Sequence, residues 1–112
     1  MHAFDILGDP VRRRILELLA AGEVPAGGIV DAVTAEFGIT QPAVSHQLRI
    51  LRDAGFAEAR ADGRRRLYAL RPEPFREAQA WLERYGAFWT QRLDALDTEV
   101  ARVRRQREED PT

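Results

Sequence analysis

The sequence predicts a mostly α-helical fold with one small β-hairpin, in the order α-α-α-α-β-β-α. Three observations predict it. Apolar residues recur at helical spacing in four stretches before residue 55, each ended by a glycine. Between residues 56 and 70 the period changes to two, around an Asp-Gly pair. Helical spacing then returns at Glu73 and continues to about Arg105.

The elements follow in order. Ala3, Phe4, Ile6 and Leu7 form a short apolar run, one or two helical turns long, and Gly8 breaks it. Asp9 caps a second helix with Pro10 at its first position, where the missing N–H costs nothing. Val11, Ile15, Leu18 and Leu19 supply its apolar stripe, and Gly22 ends it. Arg12, Arg13 and Arg14 lie at the N-terminal end of this helix, where the macrodipole disfavours cations. They read as a solvated face paired locally with Asp9 or Glu17; the alternative is that one of them touches a phosphate. Glu23 to Gly28 reads as loop, and a third helix is expected from about Ile29 to Phe37, stopped by Gly38.

Thr40 to Gly55 carries the most explicit signals in the chain. Thr40 is a good N-cap, Pro42 sits in the first turn, and Gly55 supplies a left-handed C-terminal position. Val44, Leu48 and Leu51 form the apolar stripe. Gln41, Ser45, His46, Arg49 and Arg52 occupy the other faces, where a helix kept for solubility would mix Glu and Lys. Only Gly38 and Ile39 separate this helix from the one before, the short glycine-containing turn of a helix-turn-helix, which makes it the candidate recognition helix.

Phe56 to Arg60 and Arg65 to Leu70 read as strands, with Ala61-Asp62-Gly63-Arg64 between them as a hairpin turn. A hairpin directly after a recognition helix is a wing, and Arg64, Arg65 and Arg66 at its tip would lie beside a DNA backbone. A charged edge that discourages strand-to-strand aggregation is the structural alternative. The last helix carries Phe75, Ala78, Leu82, Tyr85, Trp89, Leu93, Leu96, Val100 and Val103 at steps that alternate between three and four, with one irregular step at Trp89 to Leu93. This stripe exceeds what one small core needs and implies a partner, most simply a second copy of the chain, with the dimer interface including Phe4, Leu7, Leu82, Tyr85, Trp89, Leu93 and Leu96. Mixed charge on the polar face argues against a membrane-surface helix. The expected organisation is a single domain over residues 1–105, its last helix (about 73–105) serving dimerisation, followed by a frayed tail over 106–112.

Composition narrows the function. With 112 residues, 45% of them apolar and 31% charged, the chain suits one soluble globular domain. No secretory signal or membrane span is evident, so the expected location is cytoplasmic. There is no cysteine, and hence no disulfide, thiolate nucleophile or Cys-based metal site. Net charge is −1, yet residues 40–71 hold seven arginines against three acids, a local excess of four positive charges. DNA affinity depends on where cations sit more than on their total. Every Lys or Arg position is Arg, which suits bidentate contacts to phosphate and guanine and equally fits a GC-rich genome. No nucleophile with a base at motif spacing and no phosphate-cradling glycine loop is present, so the chain is not expected to be an enzyme.

The segments LGDPVRRRILELL, ITQPAVSHQLRILRDAGF and ADGRRRLYAL together resemble the ArsR-type (ArsR/SmtB-like) winged helix-turn-helix regulators of prokaryotes. The resemblance spans nearly the whole chain, and the middle segment is its specific part. It implies a homodimer joined through the first and last helices, binding a double-stranded DNA operator to repress transcription, often of the regulator's own operon. Carried over position by position, it implies DNA contacts by Thr40, Gln41, Ser45, His46 and Arg49. Gln pairs bidentately with adenine and Arg with guanine, while Ser45 or Thr40 holds a phosphate. The metal-sensing cysteines of many members are missing, and the last helix has Asp94, Asp97 and Glu99 but no His. The resemblance is therefore to a member that senses no metal and uses no cofactor, leaving room for an unidentified small-molecule inducer. The alternative function is a winged-helix protein-interaction module without DNA binding.

Overall fold

The computed structural model describes residues 2–109, and at residue 87 the backbone only. The element order is α1 (Ala3–Leu7), α2 (Pro10–Ala20), β1 (Val24–Pro25), α3 (Ala26–Phe37), α4 (Gln41–Asp53), β2 (Ala57–Asp62), β3 (Arg65–Leu70) and α5 (Glu73–Glu109). The chain divides into two compact units, residues 1–78 and 79–112.

In the first unit, local signals set most boundaries. The Asp9 carboxylate accepts hydrogen bonds from the N–H groups of Val11 and Arg12, at 2.8 and 3.2 Å, satisfying two orphan donors of α2. Gly38, at φ +65°, ends α3 with its N–H donating to Thr34 O at 3.0 Å. At the end of α4, Gly55 takes φ +81° and donates to Arg52 O at 3.0 Å. Phe56 donates to Leu51 O at 2.9 Å. This is a Schellman closure, and both side chains of its apolar pair, Leu51 and Phe56, are buried. Ile6, Ile15, Ile29, Val33, Val44, Leu51 and Phe56 are the largest fully buried side chains. The core therefore draws on all four of the first helices. Phe75 of α5 packs edge-on against Phe56, with centroids 5.0 Å apart.

Two expectations need correction. Glu23 to Gly28 is not all loop. Val24 and Pro25 form a strand pairing antiparallel with Tyr68 and Leu67, so the wing is a three-stranded sheet in the order β1-β3-β2. Two residues show no periodicity, and proline is tolerated here because β1 is an edge strand. The third helix also starts at Ala26 rather than near Ile29, so Gly27 and Gly28 are helical despite their poor propensity.

The second unit is the remainder of α5. Leu82, Tyr85, Trp89, Leu93 and Leu96 are all exposed along it, Leu93 and Leu96 at 59%. Trp81 and Tyr85 pack with centroids 4.8 Å apart, and Phe88 and Trp89 edge-on at 5.4 Å. The helix continues to Glu109, past its expected end near Arg105; the rest of the expected tail, 110–112, lies outside the described residues. Among the described residues no helix is long and apolar enough to cross a membrane.

Candidate nucleic-acid interface

The α4 helix turns three side chains, Val44, Leu48 and Leu51, into the core, which leaves Gln41, Ser45, His46 and Arg49 exposed. Thr40 acts as the N-cap, its hydroxyl accepting from the Ala43 N–H at 3.3 Å. Gln41 and Ser45 line a concavity of about 270 Å³ against the first turn of α3 and Tyr68. Ser45 and Arg49 also line a second one of about 200 Å³, completed by Arg52, Arg66 and Tyr68. Gln41, Ser45 and Arg49 therefore line concavities that reach β3, His46 is exposed outside both, and Arg52, absent from the expected contact set, lines the second with Ser45 and Arg49. Its spacing could have shown this, since 45, 49 and 52 stand at i, i+4 and i+7 on one helical face.

The hairpin differs from expectation in its register. Asp62 pairs with Arg65 across the turn, so the two turn residues are Gly63 and Arg64 rather than Asp62 and Gly63. Gly63 has φ +63°, and among the described residues none other than glycine has positive φ, as in a turn of type II′ with glycine first. The three arginines then have different surroundings. Arg65 is ion-paired with Asp62 at 2.9 Å. Arg66, in the next position of β3, shares its face with Tyr68 and lines the concavity with α4. Arg64 stands exposed in the turn.

The arginines of residues 1–78 sort by partner. Arg12 donates to Asp5 O and Ile6 O at 3.0 and 2.9 Å and to the Gln47 side-chain oxygen on α4 at 3.0 Å. Arg13 donates to Leu7 O at 2.7 Å. Arg14 pairs with Glu36 at 2.8 Å and Glu17 at 3.2 Å, and its hydrogen bond holds the Glu36 carboxyl below the usual range. The phosphate-touching alternative for this triplet is thus not what the structure displays. The macrodipole objection also resolves: Arg12 and Arg13 cap the C-terminal carbonyls of α1, where cations are favoured. Arg60 pairs with Glu23 at 2.9 Å, and Arg71 lies 3.6 Å from Glu73. The side chains of Arg49, Arg52, Arg64, Arg66 and Arg76 have no hydrogen bond or ion pair among the described residues. All but Arg76 lie on α4 or the hairpin.

Of the expected dimer residues in the first unit, Phe4 is 38% exposed and stacks on the His2 ring, while Leu7 is half-buried against the core. Among the described residues, no three His, Asp or Glu side chains are gathered as a metal site.

Comparison with known proteins agrees with this architecture. A family model described as a bacterial regulatory protein of the arsR family matches residues 9–59. The transcriptional repressor SdpR of Bacillus subtilis is 32% identical over 81 residues, covering 72% of this chain and 86% of that one. A crystal structure of a possible transcriptional regulator for arsenical resistance matches with TM-score 0.66 at 32% identity, over 88% of this chain and 96% of the other. The solution structure of a homodimeric winged helix-turn-helix DNA-binding domain from Mycobacterium bovis, a possible ArsR-family regulator, matches with TM-score 0.56 at 28% identity, covering 76% and 75%. Together with the winged helix-turn-helix built by α3, α4 and the three-stranded sheet, these likenesses mean that the chain belongs to the arsR family of bacterial regulatory proteins.

Proposed function

We propose that the protein is a homodimeric, sequence-specific DNA-binding regulator that represses transcription from an inverted-repeat operator, its own promoter included. The observation that carries this reading is the distribution of unpartnered arginines, which gather on α4 and the hairpin while the others in residues 1–78, except Arg76, are taken up by carboxylates and carbonyls. A face that leaves guanidinium groups unpaired is ready for phosphates. Gln41, Ser45 and His46 are exposed and free to approach base edges or backbone, with Thr40 at the helix entry. Arg64 and Arg66 extend the contact to the flanking backbone, and Arg65 joins them when its pair with Asp62 opens. Repression is supported by the name of the Bacillus subtilis relative.

Two copies would join through the exposed apolar residues of α5, including Leu82, Tyr85, Trp89, Leu93 and Leu96, and through Phe4 and Leu7 of α1. The homodimeric Mycobacterium bovis domain supports this arrangement. Two recognition helices would then enter successive major grooves about 34–36 Å apart.

The test is selection of genomic fragments by the purified protein at two salt concentrations, with enrichment of an inverted repeat expected. Absent or sequence-indifferent binding would overturn the reading in favour of a protein-interaction module. On the selected repeat, Gln41→Ala is expected to relax base preference at one position per half-site, at a cost of about 1–3 kcal/mol. Binding titrations against single-base variants of the repeat check this.

A further inference from the structure

We infer that Ser45, Arg49, Arg52, Arg66 and Tyr68 form a seat for one backbone phosphate of duplex DNA, at the junction between α4 and the wing; this rests on the DNA-binding reading above. These five residues line one concavity of about 200 Å³ that contains three guanidinium groups and no carboxylate. None of the three has a hydrogen bond or ion pair among the described residues. Elsewhere in the first unit, arginines at comparable exposure have found acids up to 37 residues away, as Arg60 has found Glu23. Three arginines lining one concavity that has no acid among its lining residues favour an anion there, Asp31 lining instead the adjoining concavity that shares Ser45 and Tyr68.

The neutral members fit the same ligand. Tyr68 is buried as a residue, yet its hydroxyl has no protein partner and is not among the buried polar atoms, so it opens to solvent. Ser45 brings a second hydroxyl one helical turn before Arg49. Two hydroxyls beside three planar cationic forks match the tetrahedral oxygens of a phosphodiester rather than the flat edge of a base.

Two consequences follow. Arg49, which the family resemblance makes a candidate guanine reader, works on the backbone. The phosphate is held from both elements at once, by α4 through Ser45, Arg49 and Arg52 and by β3 through Arg66 and Tyr68. Filling the seat therefore fixes the spacing between the groove-entering helix and the wing along one DNA strand.

The experiment uses the full-length chain and its Arg52→Gln and Arg52→Lys variants. A mixed-sequence 30-base-pair duplex is titrated between about 50 and 200 mM salt, since phosphate contacts carry no sequence information. Arg52→Gln is expected to weaken binding about tenfold per protomer and to reduce the salt slope by about one, with Arg52→Lys restoring the slope. Single neutral methylphosphonates are then scanned across a repeat selected with the wild type. One position per half-site is expected to weaken wild-type binding by a clearly larger factor than it weakens binding of Arg52→Gln, which keeps Arg49 and Arg66 at the seat. Wild-type affinity and slope in Arg52→Gln, or equal sensitivity of both proteins at every position, would overturn the seat and leave the DNA-binding reading intact. Failure of the wild type to bind either duplex would overturn both.

Discussion

The chain carries two runs of three arginines, Arg12 to Arg14 and Arg64 to Arg66, and their fates differ. All three side chains of the first run are engaged within the protein, capping the end of α1, bridging to Gln47 of α4 and pairing with Glu36 of α3. Of the second run only Arg65 is engaged, by Asp62. Identical tripeptides thus serve folding in one place and remain available for a ligand in the other. What separates them is the supply of acceptors: a helix C-terminus and acids lie around α2, whereas Asp62 alone pairs at the hairpin tip. Counting arginines along a sequence measures charge; finding their partners measures how much of it a polyanion can use.

The largest expected effect tests the first run. Arg12 has a side chain only 15% exposed and serves two carbonyls and Gln47. Arg12→Ala is expected to cost about 2–3 kcal/mol of stability, read from the urea midpoint at constant slope, because it strips charged hydrogen bonds from groups left partly buried. A variant within about 0.5 kcal/mol of wild type would erase the contrast between the runs.

Next comes the second run. Arg66→Ala is expected to leave the urea midpoint almost unmoved and to weaken binding to any duplex sequence by about tenfold, with a shallower salt dependence. Anisotropy titrations at several salt concentrations check both. A smaller effect of opposite sign sharpens the comparison within the hairpin: Asp62→Ala releases Arg65 and removes a negative charge, so DNA binding should tighten about two- to threefold. Unchanged or weaker binding would mean that Arg65 takes no part.

The smallest effect concerns pH. Because the hydrogen bond from Arg14 lowers the Glu36 carboxyl, the pair contributes stability above the unfolded carboxylate pKa and loses it as pH falls through the lower folded value. Glu36→Gln should therefore flatten the acid-side decline of thermal stability slightly, the pair being exposed. Melting curves from neutral to acidic pH check this.

The recognition helix was legible because its information is local. The Thr40 cap, Pro42 in the first turn and the left-handed Gly55 each act within a few residues of where they stand. The Asp-Gly pair announced a hairpin but misplaced its turn by one residue, since a Gly-Arg turn also satisfies the strands and lets Asp62 face Arg65. The β1 strand and the roles of the arginines were hidden for a different reason. Val24 pairs with Tyr68, Arg14 with Glu36 and Arg12 with Gln47, and none of these partners can be chosen from spacing along the chain. Spacing alone sets Arg52 on the same helical face as Ser45 and Arg49, but its neighbour Arg66 stands on another element and is out of reach of that pattern.

The absence of lysine gives the open face of α4 and the wing a particular chemical character. Acetylation and other lysine acylations, which neutralise DNA-binding surfaces elsewhere, find no side-chain amine on this one. Guanidinium groups also keep their protons throughout the physiological range. On the proposed reading, relief of DNA binding would then have to come from displacing the two recognition helices or from competition for the face, not from discharging it.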